Sequence, residues 1–148
     1  MNVLIAVDFS AVTRRIIETV TRFAGAATGH RMTLIHVAPP DPDFVGYDTG
    51  PRTVRSQVAH ELRAQHVELQ RYADQLRGGG FEVTSLLLQG PTIETVLAEA
   101  DRVEADLLVI GSHGHGAVYE LLVGSVSEGL VRRSRCPLLV VPAAGSTP

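Results

Sequence analysis

A chain of 148 residues with a formal net charge of −3 lacks the basic field that holds a nucleic acid backbone. Its length fits one domain spanning 1–148, able to bury roughly two-thirds of its unfolded surface. All 13 basic residues are Arg, so neither the lysine of a Walker-type phosphate loop nor the amine of Schiff-base chemistry is available.

The single Cys136 cannot form an internal disulfide, and no basic segment precedes an apolar one at the start. No run approaches the roughly 18 apolar residues of a membrane span. A cytoplasmic protein with no membrane and no nucleic acid partner is the expectation.

In chain order, residues 3–7 (VLIAV) read as a buried strand ending at Asp8, and Ser10 suits the cap of a following helix. Val12, Ile16, Ile17, Val20, Phe23 and Ala24 recur at helical spacing, with Gly29 as the stop. Residues 32–37 (MTLIHV) form the second strand, punctuated by Pro39 and Pro40. The stretch 39–52 holds four prolines, two glycines and three aspartates, which makes it an irregular loop of unusual length, either a lid or slack.

Val54, Val58, Leu62, Leu69, Tyr72, Ala73 and Leu76 mark a long amphipathic helix that the glycines at 78–80 end. Residues 81–88 give a third strand and Gly90 with Pro91 a turn. Ile93, Val96, Leu97, Ala100 and Val103 line a third helix, and 106–110 (DLLVI) is the central strand. After it Gly111, Gly114 and Gly116 crowd into six residues, where main-chain N–H groups reach a ligand with no Cβ in the way. Ser125 and Glu128 have the spacing of a capping box, so four unpaired N–H groups and a helix dipole should face whatever the loop encloses. Phosphate is the natural guest.

The alternation of strands and helices argues for an α/β fold: a single open parallel sheet of five strands, doubly wound, with right-handed crossovers. Hydrophobic residues make up 45% and aromatics 5%, and this Val, Leu, Ile and Ala composition suits strands covered on both faces. Asp8, at a strand end, suits a ribose hydroxyl or a metal as well as the turn beside Ser10. His36 is read as a core or strand-end histidine without a role. His113 and His115 invite a metal reading, but two loop residues do not supply the three or four ligands of a zinc site. Arg132, Arg133 and Arg135 suit the negative end of the last helix, and Cys136 a strand start.

Gly111, two residues, Gly114, nine residues, then Gly124 and Ser125 resembles the ATP-binding signature of the universal stress protein family. Residues 5–10 (IAVDFS) look like that family's opening strand and 135–142 (RCPLLVVP) like its closing one, so the resemblance covers almost the whole chain. It implies strand order 3-2-1-4-5, with the site at the crevice between strands one and four.

Carried over residue by residue, the resemblance places Ala6, Val7, Asp8 and Ser10 on one lip and Val37, through its backbone, at adenine. Gly111, Ser112, His113, Gly114, His115, Gly116, Gly124, Ser125, Val126 and Ser127 form the other lip. Family members often carry Pro where Ala6 stands, and Lys or Arg near His115. With no basic side chain in the loop, triphosphate charge falls to main-chain N–H groups, Ser112, Ser125, Ser127, protonated histidine and Mg²⁺.

The resemblance also implies a regulatory, stress-response role and a homodimer through strand 137–141. Two alternatives stand beside it. One is an adenine-nucleotide hydrolase or transferase with slow turnover, against which no nucleophile elbow, triad or paired carboxylates appear. The other is an interaction module preferring AMP or cyclic AMP.

Overall fold

The computed structural model describes residues 1–25, 29–40, 52–112 and 124–143, and for 52–54 the backbone alone. Its elements run β1 (Asn2–Ala6), α1 (Ala11–Ala24), β2 (Arg31–Ala38), α2 (Arg52–Gly78), β3 (Glu82–Gln89), α3 (Thr92–Arg102), β4 (Leu107–Gly111), α4 (Ser125–Arg133) and β5 (Leu138–Val141). All four pairings are parallel and the sheet order is β3-β2-β1-β4-β5, as the family resemblance implied.

Because successive strand residues face opposite ways, the sheet divides the apolar residues into two cores. Val3, Ile5 and Val7 point to the face covered by α1 and α2, where they meet Ile16, Val20, Leu69, Ala73 and Leu76. Leu4, Ile35, Leu108 and Ile110 point to the face covered by α3 and α4, against Val96, Ala100 and Leu130. The aliphatic composition is what two covered faces need.

Several boundaries differ from the sequence reading, most by one residue and two by more. The first strand ends at Ala6, not Asp8, because Phe9 takes a left-handed φ of 59° and the chain turns away from the sheet. The first helix ends at Ala24 with Gly25 as its cap, short of Gly29, whose φ of 87° belongs to the approach to β2.

Thr13, in the first turn of α1, is fully buried and its hydroxyl has no hydrogen-bond partner among the described residues. A desolvated, unpaired hydroxyl costs stability, and Val has nearly the same shape. Thr13→Val is therefore expected to stabilise the fold by about 1 kcal/mol, roughly 3 °C in melting temperature. A lower melting temperature in calorimetry would show that the hydroxyl has a partner worth keeping.

Candidate functional site

The crevice lies where β1 and β4 run side by side and the chain leaves them in opposite directions. From β1 it passes through α1 to β2 on one face, and from β4 through α4 to β5 on the other. Such a switch point opens a gap beyond the carboxyl ends of the two strands.

One lip is the turn that follows β1. The Val7 N–H donates to Ile35 O at 2.9 Å, one step beyond the end of β1. Asp8 Oδ1 accepts the Ser10 N–H at 3.0 Å, and Ser10 Oγ accepts the Val12 N–H at 3.4 Å to cap α1. Asp8 thus organises the turn with one carboxylate oxygen and keeps acceptor capacity on the other. Val7 is buried, while Ala6, Asp8 and Ser10 are half-buried at the rim.

The adjacent end of β2 contributes Val37. Along β2 the odd-numbered residues turn their main-chain groups toward β1, as the Arg31 N–H to Met1 O and Val7 N–H to Ile35 O bonds show. Val37 shares that orientation, but β1 has already ended, so no described residue hydrogen-bonds its N–H or C=O. Its backbone faces the crevice side, while its side chain packs on the opposite core from that of His36.

The other lip is the end of β4. At Gly111 a Cβ would sit 2.9 Å from Val12 Cγ1, so glycine is what lets α1 start close against β4. Ser112 is buried, donating its N–H to Val141 O at 2.9 Å and accepting the Gly124 N–H at 2.8 Å on its carbonyl. Its Oγ accepts the Ala143 N–H at 3.1 Å, and Ser127 Oγ donates to Gly111 O at 2.7 Å. Ser127 Oγ ties the start of α4 to the end of β4, and Ser112 Oγ ties the end of β4 to the residue two beyond β5.

The capping box expected at Ser125 does not form. Gly124 is the N-cap of α4, no side chain caps it, and Ser125 is the first helical residue. Glu128 instead accepts from Arg132 at 2.8 and 3.0 Å, an exposed i,i+4 pair. The physical reason is register: the Glu128 N–H that Ser125 Oγ would accept already donates to Gly124 O at 2.8 Å, so the helix starts one residue early, and Arg132 lies one turn from Glu128. The outcome is a barer helix start than the sequence suggests. The N–H groups of Ser125, Val126 and Ser127 meet no acceptor among the described residues, and Ser125 and Val126 are exposed.

The chain's arginines near α4 point elsewhere. Arg133 donates to Glu94 at 2.7 Å, tying α4 to α3 and holding the Glu94 carboxyl below its usual range through that hydrogen bond. Arg135 lies 3.6 Å from Asp101. A cavity of about 430 Å³ lined by Ala100, Glu104, Arg133 and Cys136 lies at the amino ends of β4 and β5, across the sheet from the crevice. Ser134 Oγ donates to the Cys136 carbonyl at 2.9 Å there, so Cys136 sits in the bend that leads into β5.

The universal stress protein family model matches residues 1–142. A universal stress protein encoded beside a sulfhydrylase gene in Thermus aquaticus is 34% identical over 142 residues, covering 95% of this chain and 97% of the relative. The chain belongs to the universal stress protein family. Hypothetical protein MJ0577 of Methanocaldococcus jannaschii superposes with a TM-score of 0.84 at 24% identity, over 98% of this chain and 97% of that one. A universal stress protein from Archaeoglobus fulgidus, solved in complex with dAMP, superposes with a TM-score of 0.66 at 21% identity, over 95% and 97% of the two chains.

In this universal stress protein His113, Gly114, His115 and Gly116 lie outside the described residues, as does 41–51, most of the segment expected to be a lid or slack. Among the described residues no group of three His, Cys, Asp or Glu side chains is placed to hold a metal ion. No described helix is long and apolar enough to cross a membrane.

The sequence reading missed His36. It is buried, its Nδ1 lies 2.8 Å from Val7 O, and its ring centroid lies 4.3 Å from that of Phe9. The available signal was a polar residue in a strand otherwise buried, which needs a partner nearby.

Proposed function

We propose that this universal stress protein is one nucleotide-binding domain that holds ATP in the β1/β4 crevice and uses the nucleotide to control conformation or partner choice in a cytoplasmic stress response. The observation that carries it is the uncapped start of α4, where three main-chain N–H groups and the positive end of the helix dipole meet the end of β4, opposite Asp8. Val37 offers a donor and an acceptor of the kind that a base edge uses. The family relative bound to dAMP supports an adenine nucleotide as guest.

Calorimetric titration of the purified chain with ATP tests the proposal, alongside mass spectrometry of any nucleotide released on denaturation. Saturable binding at micromolar ATP is the expected result, and no heat with no copurified nucleotide would overturn it. The dAMP complex also favours a second reading, in which a monophosphate is preferred. Competition between ATP and AMP in the same cell separates the two.

Magnesium fits the site as an accompanying ion. Between Gly111 and Val131 the sequence has no Lys or Arg, so phosphate charge has no side-chain cation to meet it. The oxygen of Asp8 not engaged by Ser10 is a hard ligand of the type that Mg²⁺ takes together with phosphate oxygens. ATP affinity is expected to fall about tenfold or more in EDTA. Equal affinities with and without the metal would assign the phosphates to main-chain dipoles alone.

A further inference from the structure

In a parallel ladder, a carbonyl on one strand accepts from the neighbour's residue two places beyond the one that accepts its own N–H. The Val7 N–H bonds Ile35 O, so the next bond in sequence would be from the Val37 N–H to Val7 O. That bond is not made. Val7 O is taken instead by His36 Nδ1 at 2.8 Å, which requires the imidazole proton to reside on Nδ1.

The ring does a second thing. Phe9 follows Val7 and Asp8 with a φ of 59°, a left-handed backbone that is strained in a non-glycine residue, and its ring rests against His36. The donor and the ring contact together turn the chain out of the sheet directly after Val7.

We propose that His36 is a positioning residue that ends the β1–β2 ladder one hydrogen bond early, and so keeps the Val37 N–H free to donate to a ring nitrogen of the bound base. The inference deepens the nucleotide-binding proposal and rests on it for the identity of the guest. Its structural half, the diversion of Val7 O, is independent of any ligand. A side chain at position 36 without a donor releases Val7 O to Val37, the ladder closes, and the base loses its donor although no residue that touches it has changed.

The test uses the full chain, labelled for NMR, with two variants. His36→Phe keeps a ring for Phe9 and removes the donor, and His36→Asn loses the ring and keeps an amide donor at the Nδ1 position. In the free protein, the Val37 amide is expected to exchange about tenfold more slowly in His36→Phe than in wild type, because it gains a partner. His36→Asn stays near wild type. ATP affinity follows inversely, falling about tenfold in the Phe variant and holding in the Asn variant, a factor near the net worth of one hydrogen bond.

Slower exchange at one amide is not something that a loosened core produces, so it separates positioning from general damage. Unchanged Val37 exchange in His36→Phe, or an Asn variant that behaves like the Phe variant, would overturn the inference. Should the Phe variant not fold, the ring nitrogen shifts of wild-type His36 decide: a proton on Nε2 rather than Nδ1 removes the diversion. If wild-type protein takes no ATP while the exchange pattern appears as stated, the nucleotide proposal fails and the role of His36 in ending the ladder stands.

Discussion

Gly124→Val is expected to fold like the parent chain and to lose ATP binding by more than about a hundredfold, near 2.7 kcal/mol. Gly124 has φ −56° and ψ 157°, values that any residue adopts, so its backbone does not require glycine. Its N–H bonds Ser112 O at 2.8 Å and its O accepts the Glu128 N–H at 2.8 Å, neither of which a side chain disturbs. The role left for the missing Cβ is space beside the three uncapped N–H groups of α4. A valine there keeps phosphate oxygens from those donors, and each charge-assisted hydrogen bond lost costs about 1.5 to 3 kcal/mol. Circular dichroism reports the fold and calorimetry the binding. A folded variant that holds ATP as tightly as wild type would place the phosphates elsewhere.

We propose that the chain pairs with a second copy through β5, and Val140→Pro is expected to turn that homodimer into monomers or aggregates. β5 is the edge of the sheet, paired with β4 alone. Pro137 O accepts the Leu108 N–H and Val141 O accepts the Ser112 N–H, both at 2.9 Å, so odd-numbered residues of this strand face β4. By the two-residue period Leu138 and Val140 turn their N–H and C=O groups outward. Residues 138–141 are Leu, Leu, Val and Val, with no charge to blunt the edge, and antiparallel pairing with a second copy around a two-fold axis would satisfy it. Proline at 140 removes an outward donor and leaves the ladder to β4 intact. Light scattering at micromolar concentration measures both proteins. A monomeric wild type would sink the dimer regardless of the variant.

The order of elements was legible because each helix carries a 3.6-residue stripe and each strand a compact aliphatic run. Composition told that both sheet faces are covered, while strand order came from the family motifs, since nothing local to β1 says that it sits between β2 and β4. The misreadings all depend on contacts distant in sequence. Phe9 in a left-handed conformation carries no sequence mark, and it shortens β1 by two residues relative to the reading that ended at Asp8. Ser125 has the right spacing for a cap, yet the helix starts one residue earlier, with Gly124 as the N-cap and its N–H held by Ser112 O, 12 positions away. His36 acquires its meaning only once the ladder is known to end at Val7, a fact about β1 and β2 together. At the proposed site, the sequence points to glycines and serines by type, and the structure adds the contacts that Ser112 Oγ makes with the Ala143 N–H and Ser127 Oγ with Gly111 O.

The central place of β1 also sets a timetable. Residues 2–6 are made long before their partner on one side, β4, which begins at Leu107. At about 5 to 20 residues per second, the hundred residues between them take roughly 5 to 20 seconds to make. Through that interval β1, α1, β2, α2 and β3 can assemble in order, since each joins a neighbour already present, but the flank of β1 awaiting β4 is a bare apolar edge. The nascent half is thus most exposed to wrong pairing along the line where the crevice later opens. A chaperone, or haste in the second half of synthesis, matters more here than in a sheet whose strands pair in the order in which they are made.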